Sequence, residues 1–219
     1  MQIDKDTGVC IQIGLLNTAE MLYLTETDWQ KQIEQQADTN KVPDFDYDKW
    51  VLYAVDCNPV SIAIMSDKYK QNDVRWLCAY LSDNNSIVPV NDETSQIMRT
   101  NLLTPSLTLK LLVDGLGLHR IDVLKMDIEG SELGVISNYQ FEIKPTYISI
   151  ECHEVDNKGC TDQIQNILEN QDYDILKGCT DQIQTILENQ GYDILSRKFT
   201  NIGRTIELQA ILPYSRRQT

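Results

Sequence analysis

Short apolar runs alternate with longer polar stretches along this chain. Val9 to Ile13, Trp50 to Val55, Val74 to Leu81, Ile121 to Ile128 and Tyr147 to Ile150 are each four to eight residues long. Turn-forming or acidic residues follow them: Gly14, then Asp56-Cys57-Asn58-Pro59, Ser82-Asp83-Asn84-Asn85, Glu129-Gly130 and Glu151. Runs that are apolar on both faces have the pattern of parallel strands buried between helix layers. Helical spacing lies between them. Ala19 to Gln36 carries Met21, Leu22, Leu24, Trp29 and Ile33, and Leu107, Leu111 and Leu112 precede a helix stop at Gly115 or Gly117. This alternation predicts an α/β fold with a mainly parallel sheet. A last run, Thr205 to Leu212, follows Tyr192 to Leu195 and a polar loop containing Gly203. That spacing predicts a C-terminal antiparallel pair closing the sheet.

The chain also repeats itself. Residues 158–176 read KGCTDQIQNILENQDYDIL and residues 177–195 read KGCTDQIQTILENQGYDIL. The copies differ only at Asn166/Thr185 and Asp172/Gly191. Each reads as a helix and a short strand, with Ile164, Ile167 and Leu168 forming an apolar stripe that Ile183, Ile186 and Leu187 repeat. Two copies are too few for a solenoid, and the sheet has room for one. Gly191 suits a left-handed helix end better than Asp172 does. The second copy is therefore expected to fill the sheet, with the first as an extra excursion. The reverse arrangement is the rival.

Composition narrows the function. The 219 residues fit one domain spanning the whole chain, and 42% apolar content is that of a globular protein. A net charge of −14 opposes binding to nucleic-acid phosphates or an anionic membrane surface. No apolar run approaches a membrane span. The N-terminal MQIDKDTGVC lacks a basic region followed by an apolar one, so no signal peptide and a cytoplasmic location are expected. The six cysteines, Cys10, Cys57, Cys78, Cys152, Cys160 and Cys179, form no C-x-x-C pair and read as reduced and mostly buried.

The fourth run carries the chemistry. In IDVLKMDIEGSE, residues 121–132, alternation puts Lys125, Asp127 and Glu129 on one side. Three charges ending an apolar strand are either paired or used. One reading is a Lys–Asp pair followed by a helix N-terminus at Ser131 and Glu132. The other is a ligand site at the carboxyl end of an open α/β sheet.

This segment resembles the LKIDIEGAE signature of the FkbM-type family of class I S-adenosylmethionine-dependent methyltransferases. CIQIG (10–14), VLYAVDCNP (51–59), CAYLSDNN (78–85), YISIECH (147–153) and ILENQGYDIL resemble further segments of that family in order. The resemblance covers about residues 9–212 and implies a Rossmann-like class I methyltransferase sheet, mainly parallel with a C-terminal antiparallel strand. It implies methyl transfer from S-adenosylmethionine to a small-molecule acceptor, a hydroxyl on a sugar or secondary metabolite. The cofactor residues it implies are Gly14, Asp56, Asp83 and Asp127. Gly14 can admit the cofactor's amino-acid end or be an ordinary turn glycine. Asp56 can accept ribose hydroxyls or act as a helix cap. Asp83 can meet the adenine amino group or make an Asx turn. Asp127, Glu129, Glu151 and His153 are the candidate bases for a hydroxyl acceptor, although His153 also reads as a surface histidine. His119 reads as structural or exposed. Asp127, Glu129 and Glu151 can ligate a divalent ion, but their spacing matches no metal motif and none is predicted.

Where the family has a glycine-rich first turn, this chain has Gly14-Leu15-Leu16-Asn17-Thr18. That departure leaves a second function open, an inactive methyltransferase-fold protein that acts as a binding or scaffold module. A nicotinamide enzyme would need G-x-G-x-x-G at this turn, which is absent. The sequence leaves the oligomeric state open.

Overall fold

The computed structural model describes residues 7–14, 50–68, 74–89, 103–153, 159–176 and 205–211; residues 50, 68, 89, 176 and 205–211 are described by their backbone alone. Ten strands and four helices lie in this part. The strands are β1 (Gly8–Ile13), β2 (Trp50–Asp56), β3 (Val74–Cys78), β4 (Tyr80–Leu81), β5 (Ser86–Pro89), β6 (Leu103–Leu107), β7 (Val123–Met126), β8 (Tyr147–His153), β9 (Asp174–Leu176) and β10 (Thr205–Ile211). The helices are α1 (Pro59–Lys68), α2 (Leu109–Gly115), α3 (Glu132–Asn138) and α4 (Cys160–Asn170).

Seven strands form the main sheet in the order β3-β2-β1-β7-β8-β10-β9. The first five are mutually parallel. β10 runs antiparallel to β8, with Thr205 opposite His153 and Ile211 opposite Tyr147. The expected α/β sheet, mainly parallel with a C-terminal antiparallel strand, is the one observed. β4, β6 and β5 make a small second sheet.

Four of the five apolar runs become strands largely buried on both faces, whereas β3, at the sheet edge, is only partly covered. Ile11, Ile13, Tyr53, Val55, Leu124 and Met126 are fully buried on the face that also receives Ile136 of α3 and Leu168 of α4. Burying each such side chain stabilises the fold by about 1.5–3 kcal/mol before entropy is subtracted. The third run is not continuous: Ala79 interrupts it and sends Tyr80 and Leu81 to the second sheet. Gln12, within β1, is fully buried, and neither atom of its amide has a hydrogen-bond partner.

Helix starts follow local chemistry. Asn58 caps α1, its Oδ1 accepting from the amide of Val60 at 2.9 Å, and Pro59 occupies the first helical position. Thr108 caps α2 through the amide of Leu111. α2 ends at Gly115 as expected, but the buried stripe is Leu109, Leu112 and Val113, whereas Leu111 is exposed.

The expectation for the repeat is corrected. The first copy fills the sheet, forming α4 and β9, and β9 pairs with β10 from Asp174 opposite Ile211 to Leu176 opposite Gln209. Asp172 accepts the left-handed conformation at the helix end, with φ 67°. Asp and Asn take that region more readily than other side chains. The second copy, the Tyr192 to Leu195 run and the Ala19 to Gln36 helix lie outside the described residues.

Candidate active site

The carboxyl ends of β1, β2 and β7 meet at a cleft. Gly14 follows β1, Asp56 ends β2 and Asp127 follows β7. Backbone bonds lock the three ends together: the Gly14 amide donates to the Val55 carbonyl, and the Asp127 amide donates to the Ile13 carbonyl, both at 2.9 Å. Asp56, Cys57 and Tyr80 stand on the cleft walls with Gly14, Asp127 and Glu129.

Gly14 is required by the fold itself. Its φ is +85°, and a Cβ there would lie 1.7 Å from the Asp127 carbonyl oxygen. The glycine therefore admits the Asp127 backbone, which brings the first and fourth parallel strands together at the cleft.

Asp56 turns one oxygen to the Asn58 amide at 2.7 Å, which starts the turn into α1. Tyr80 donates to or accepts from the hydroxyl of Ser131, tying the cleft wall to the start of α3. Glu129 stands in a tight turn with φ 54°, so it leaves the strand register assumed from alternation.

A second cluster adjoins the cleft acids. Glu132 is fully buried at the first position of α3. Its carboxylate accepts from the amides of Ile128 at 3.2 Å and Gly130 at 3.0 Å, and it meets Nδ1 of His153 at 2.8 Å. Fixed in this way, the imidazole presents Nε2 to Glu129 at 3.2 Å and to Asp127 at 3.7 Å. Burial alone would lower the His153 pKa. The bond to Glu132 and the charges of Glu132, Glu129 and Asp127 outweigh it and raise the pKa to about 9. The imidazole is then cationic at neutral pH. Asp127, Glu151 and His153 also hold donor atoms within 4.8 Å of one another, close enough for three to share an ion. Here the imidazolium supplies the positive charge among these acids.

The structure thus gathers Gly14, Asp56, Asp127 and Glu129 at one cleft and sets His153 and Glu151 against its acids. Asp83 is not among the cleft-lining residues. It is exposed, accepts from the Asn84 side chain at 2.8 Å and sits over Gly134, while its carbonyl accepts from Asn138. His119 is exposed in the loop after α2. Sequence reasoning saw Glu132 only as a helix-start acid and missed Tyr80 and Cys57. The signal for Tyr80 was the small residue Ala79, which breaks the third run. Of the described cysteines, Cys10, Cys152 and Cys160 are buried, Cys57 is half-buried and Cys78 is exposed, and no described helix is long and apolar enough to cross a membrane.

The strand order and the acid-lined cleft at the carboxyl ends of the parallel strands define a class I methyltransferase fold. The Methyltransferase FkbM domain matches residues 17–194, and the chain belongs to that family. None of the curated proteins compared with it matches. A crystal structure of methyltransferase FkbM from Methylobacillus flagellatus KT is similar at 16% identity and a TM-score of 0.49, covering 78% of this chain and 40% of that one. A fibrillarin pre-rRNA processing protein from Methanococcus jannaschii is similar at 13% identity and a TM-score of 0.48, over 97% of this chain and 69% of that one. The chain thus spans well under half the length of the FkbM structure it matches.

Proposed function

We propose that this chain is an S-adenosylmethionine-dependent O-methyltransferase whose acceptor is a hydroxyl on a small molecule, a sugar or secondary metabolite. The observation that supports this reading most directly is the single cleft lined by Asp56, Asp127 and Glu129 at the carboxyl ends of parallel strands. Its donor set fits the cofactor. Carboxylates accept from ribose hydroxyls and from an ammonium group, and they favour a neighbouring sulfonium. Asp56 would hold the ribose, and Asp127 the cationic end.

Bound there, the cofactor would supply a methyl group already activated on sulfur, so the protein's share is positioning and removal of the acceptor's proton. We assign the proton to Nε2 of His153, with Glu132 holding the ring. The free site keeps this nitrogen protonated up to about pH 9. Positive charge entering beside Asp127 and Glu129 competes for the same carboxylates and lowers the imidazole's pKa toward working pH.

The test is transfer of labelled methyl from S-adenosylmethionine to panels of hydroxyl-bearing and amine-bearing acceptors. Labelling of hydroxyl acceptors that rises with pH, with a midpoint below the free site's value of about 9, is expected. Labelling of amines alone would contradict the oxygen assignment, and cofactor binding without turnover on any panel would favour a binding module.

A further inference from the structure

The repeat offers two sequences for one place in the fold. We infer that the slot at the β10 edge is a docking surface for either copy, so that residues 179–195 are a second occupant of the position held here by residues 160–176.

The slot recognises side chains that both copies share. Cys160, Ile164 and Leu168 are fully buried in it, and Tyr173 nearly so. Their counterparts are Cys179, Ile183, Leu187 and Tyr192, each the same residue. The Tyr173 hydroxyl donates to the Pro145 carbonyl at 2.8 Å, a bond that Tyr192 can make. Lys144 donates to the backbone carbonyl of Gln171, which does not depend on sequence. Gly159 starts α4 with φ +80°, and Gly178 stands at the matching place.

The two differences do not discriminate against the second copy. Asn166, replaced by Thr185, is exposed. Asp172 adopts φ 67° in the turn before β9, a conformation that its counterpart Gly191 enters without strain. What Gly191 forfeits is a half-exposed contact of 3.8 Å between Asp172 and Lys144, the kind of surface pair that contributes little.

Connectivity is equally permissive. With the first copy docked, six residues join β8 to α4 and 28 join β9 to β10. With the second docked, those connections become 25 and nine residues. Loop closure depends on length only as a power of about −3/2, so the exchange shifts the balance less than about twofold. The exchange moves nineteen residues into the connection that follows His153.

Copy-selective substitution in the full chain tests this. Leu168→Asp places a charge at a fully buried position of the first copy only, and Leu187→Asp makes the matching change in the sequence of the second. Cysteine alkylation read by mass spectrometry reports which copy is buried. Each single variant is expected to keep a cooperative melt, and the double variant to lose it. In Leu168→Asp, Cys160 becomes reactive while Cys179 is protected by about tenfold or more relative to the double variant. Two results would overturn the proposal: Leu168→Asp alone unfolding the chain as fully as the double variant, or a folded Leu168→Asp variant whose Cys179 reacts as fast as in the double variant.

Discussion

Gly14 and Asp127 are in backbone contact across the two central strands, so closely that a Cβ on Gly14 would lie 1.7 Å from the Asp127 carbonyl oxygen. The contact places two of the cleft's residues by a purely steric device. Gly14→Ala must separate the strand ends or distort a left-handed residue, and is expected to destabilise the fold by about 3 kcal/mol or more. Urea denaturation measures this, and an unchanged midpoint would show that the strand ends are not so tightly joined.

Glu132 serves three donors from inside the core. Glu132→Ala strands the amides of Ile128 and Gly130 and frees the imidazole. Each buried donor left without a partner costs about 1–3 kcal/mol, so a loss of about 2–4 kcal/mol is expected. Glu132→Gln keeps one carbonyl acceptor and is expected to lose less. Equal losses for the two variants would mean that packing, not hydrogen bonding, sets the effect.

His153 makes stability depend on pH in a defined direction. Its ordinary pKa near 6.5 rises to about 9 in the fold. The stabilisation is therefore complete below about pH 6.5 and disappears as pH rises toward 9. The groups responsible are Glu132 of α3, Glu129 in the turn after β7 and Asp127 at that strand's end. Wild type should lose stability across that window, and His153→Gln should lose less. Parallel pH curves for the two proteins would remove the imidazole from this role.

Gln12 is fully buried, and neither atom of its amide is hydrogen-bonded. Such a group is destabilising relative to an apolar side chain of the same shape. Gln12→Met is expected to raise stability by about 1–2 kcal/mol in a denaturant titration. A fall would show that the amide has a partner in solution.

Most of the main sheet was legible because its central strands, β1, β2, β7 and β8, are largely buried on both faces and so appear as short apolar runs. β5 and β6 were not, because Pro89, Pro105 and the exposed Ile87 and Leu103 leave no apolar pattern. α1 was hidden for another reason: Asn58-Pro59 signals a turn and a helix start equally well. At the site, Gly14, Asp56 and Asp127 were legible from their places at strand ends. Asp83 stands off this cleft, beyond the break at Ala79 and on the small sheet's side of the loop. The Glu132–His153 contact joins residues 21 apart through tertiary packing, and no local pattern announces it. The choice between repeat copies rested on one residue's conformational preference and on the second copy's running directly into the last strand, small terms beside the burial of Cys160, Ile164 and Leu168.

The central claim is that the acid-lined cleft binds the methyl donor. Calorimetric titration with S-adenosylmethionine and S-adenosylhomocysteine, on wild type, Asp56→Ala and Asp83→Ala, tests it most directly. The account predicts binding by wild type, a loss of about 1–3 kcal/mol for Asp56→Ala, and no change for Asp83→Ala, which lies off the cleft. A folded wild type that binds neither compound, or binding indifferent to Asp56 and sensitive to Asp83, would contradict it.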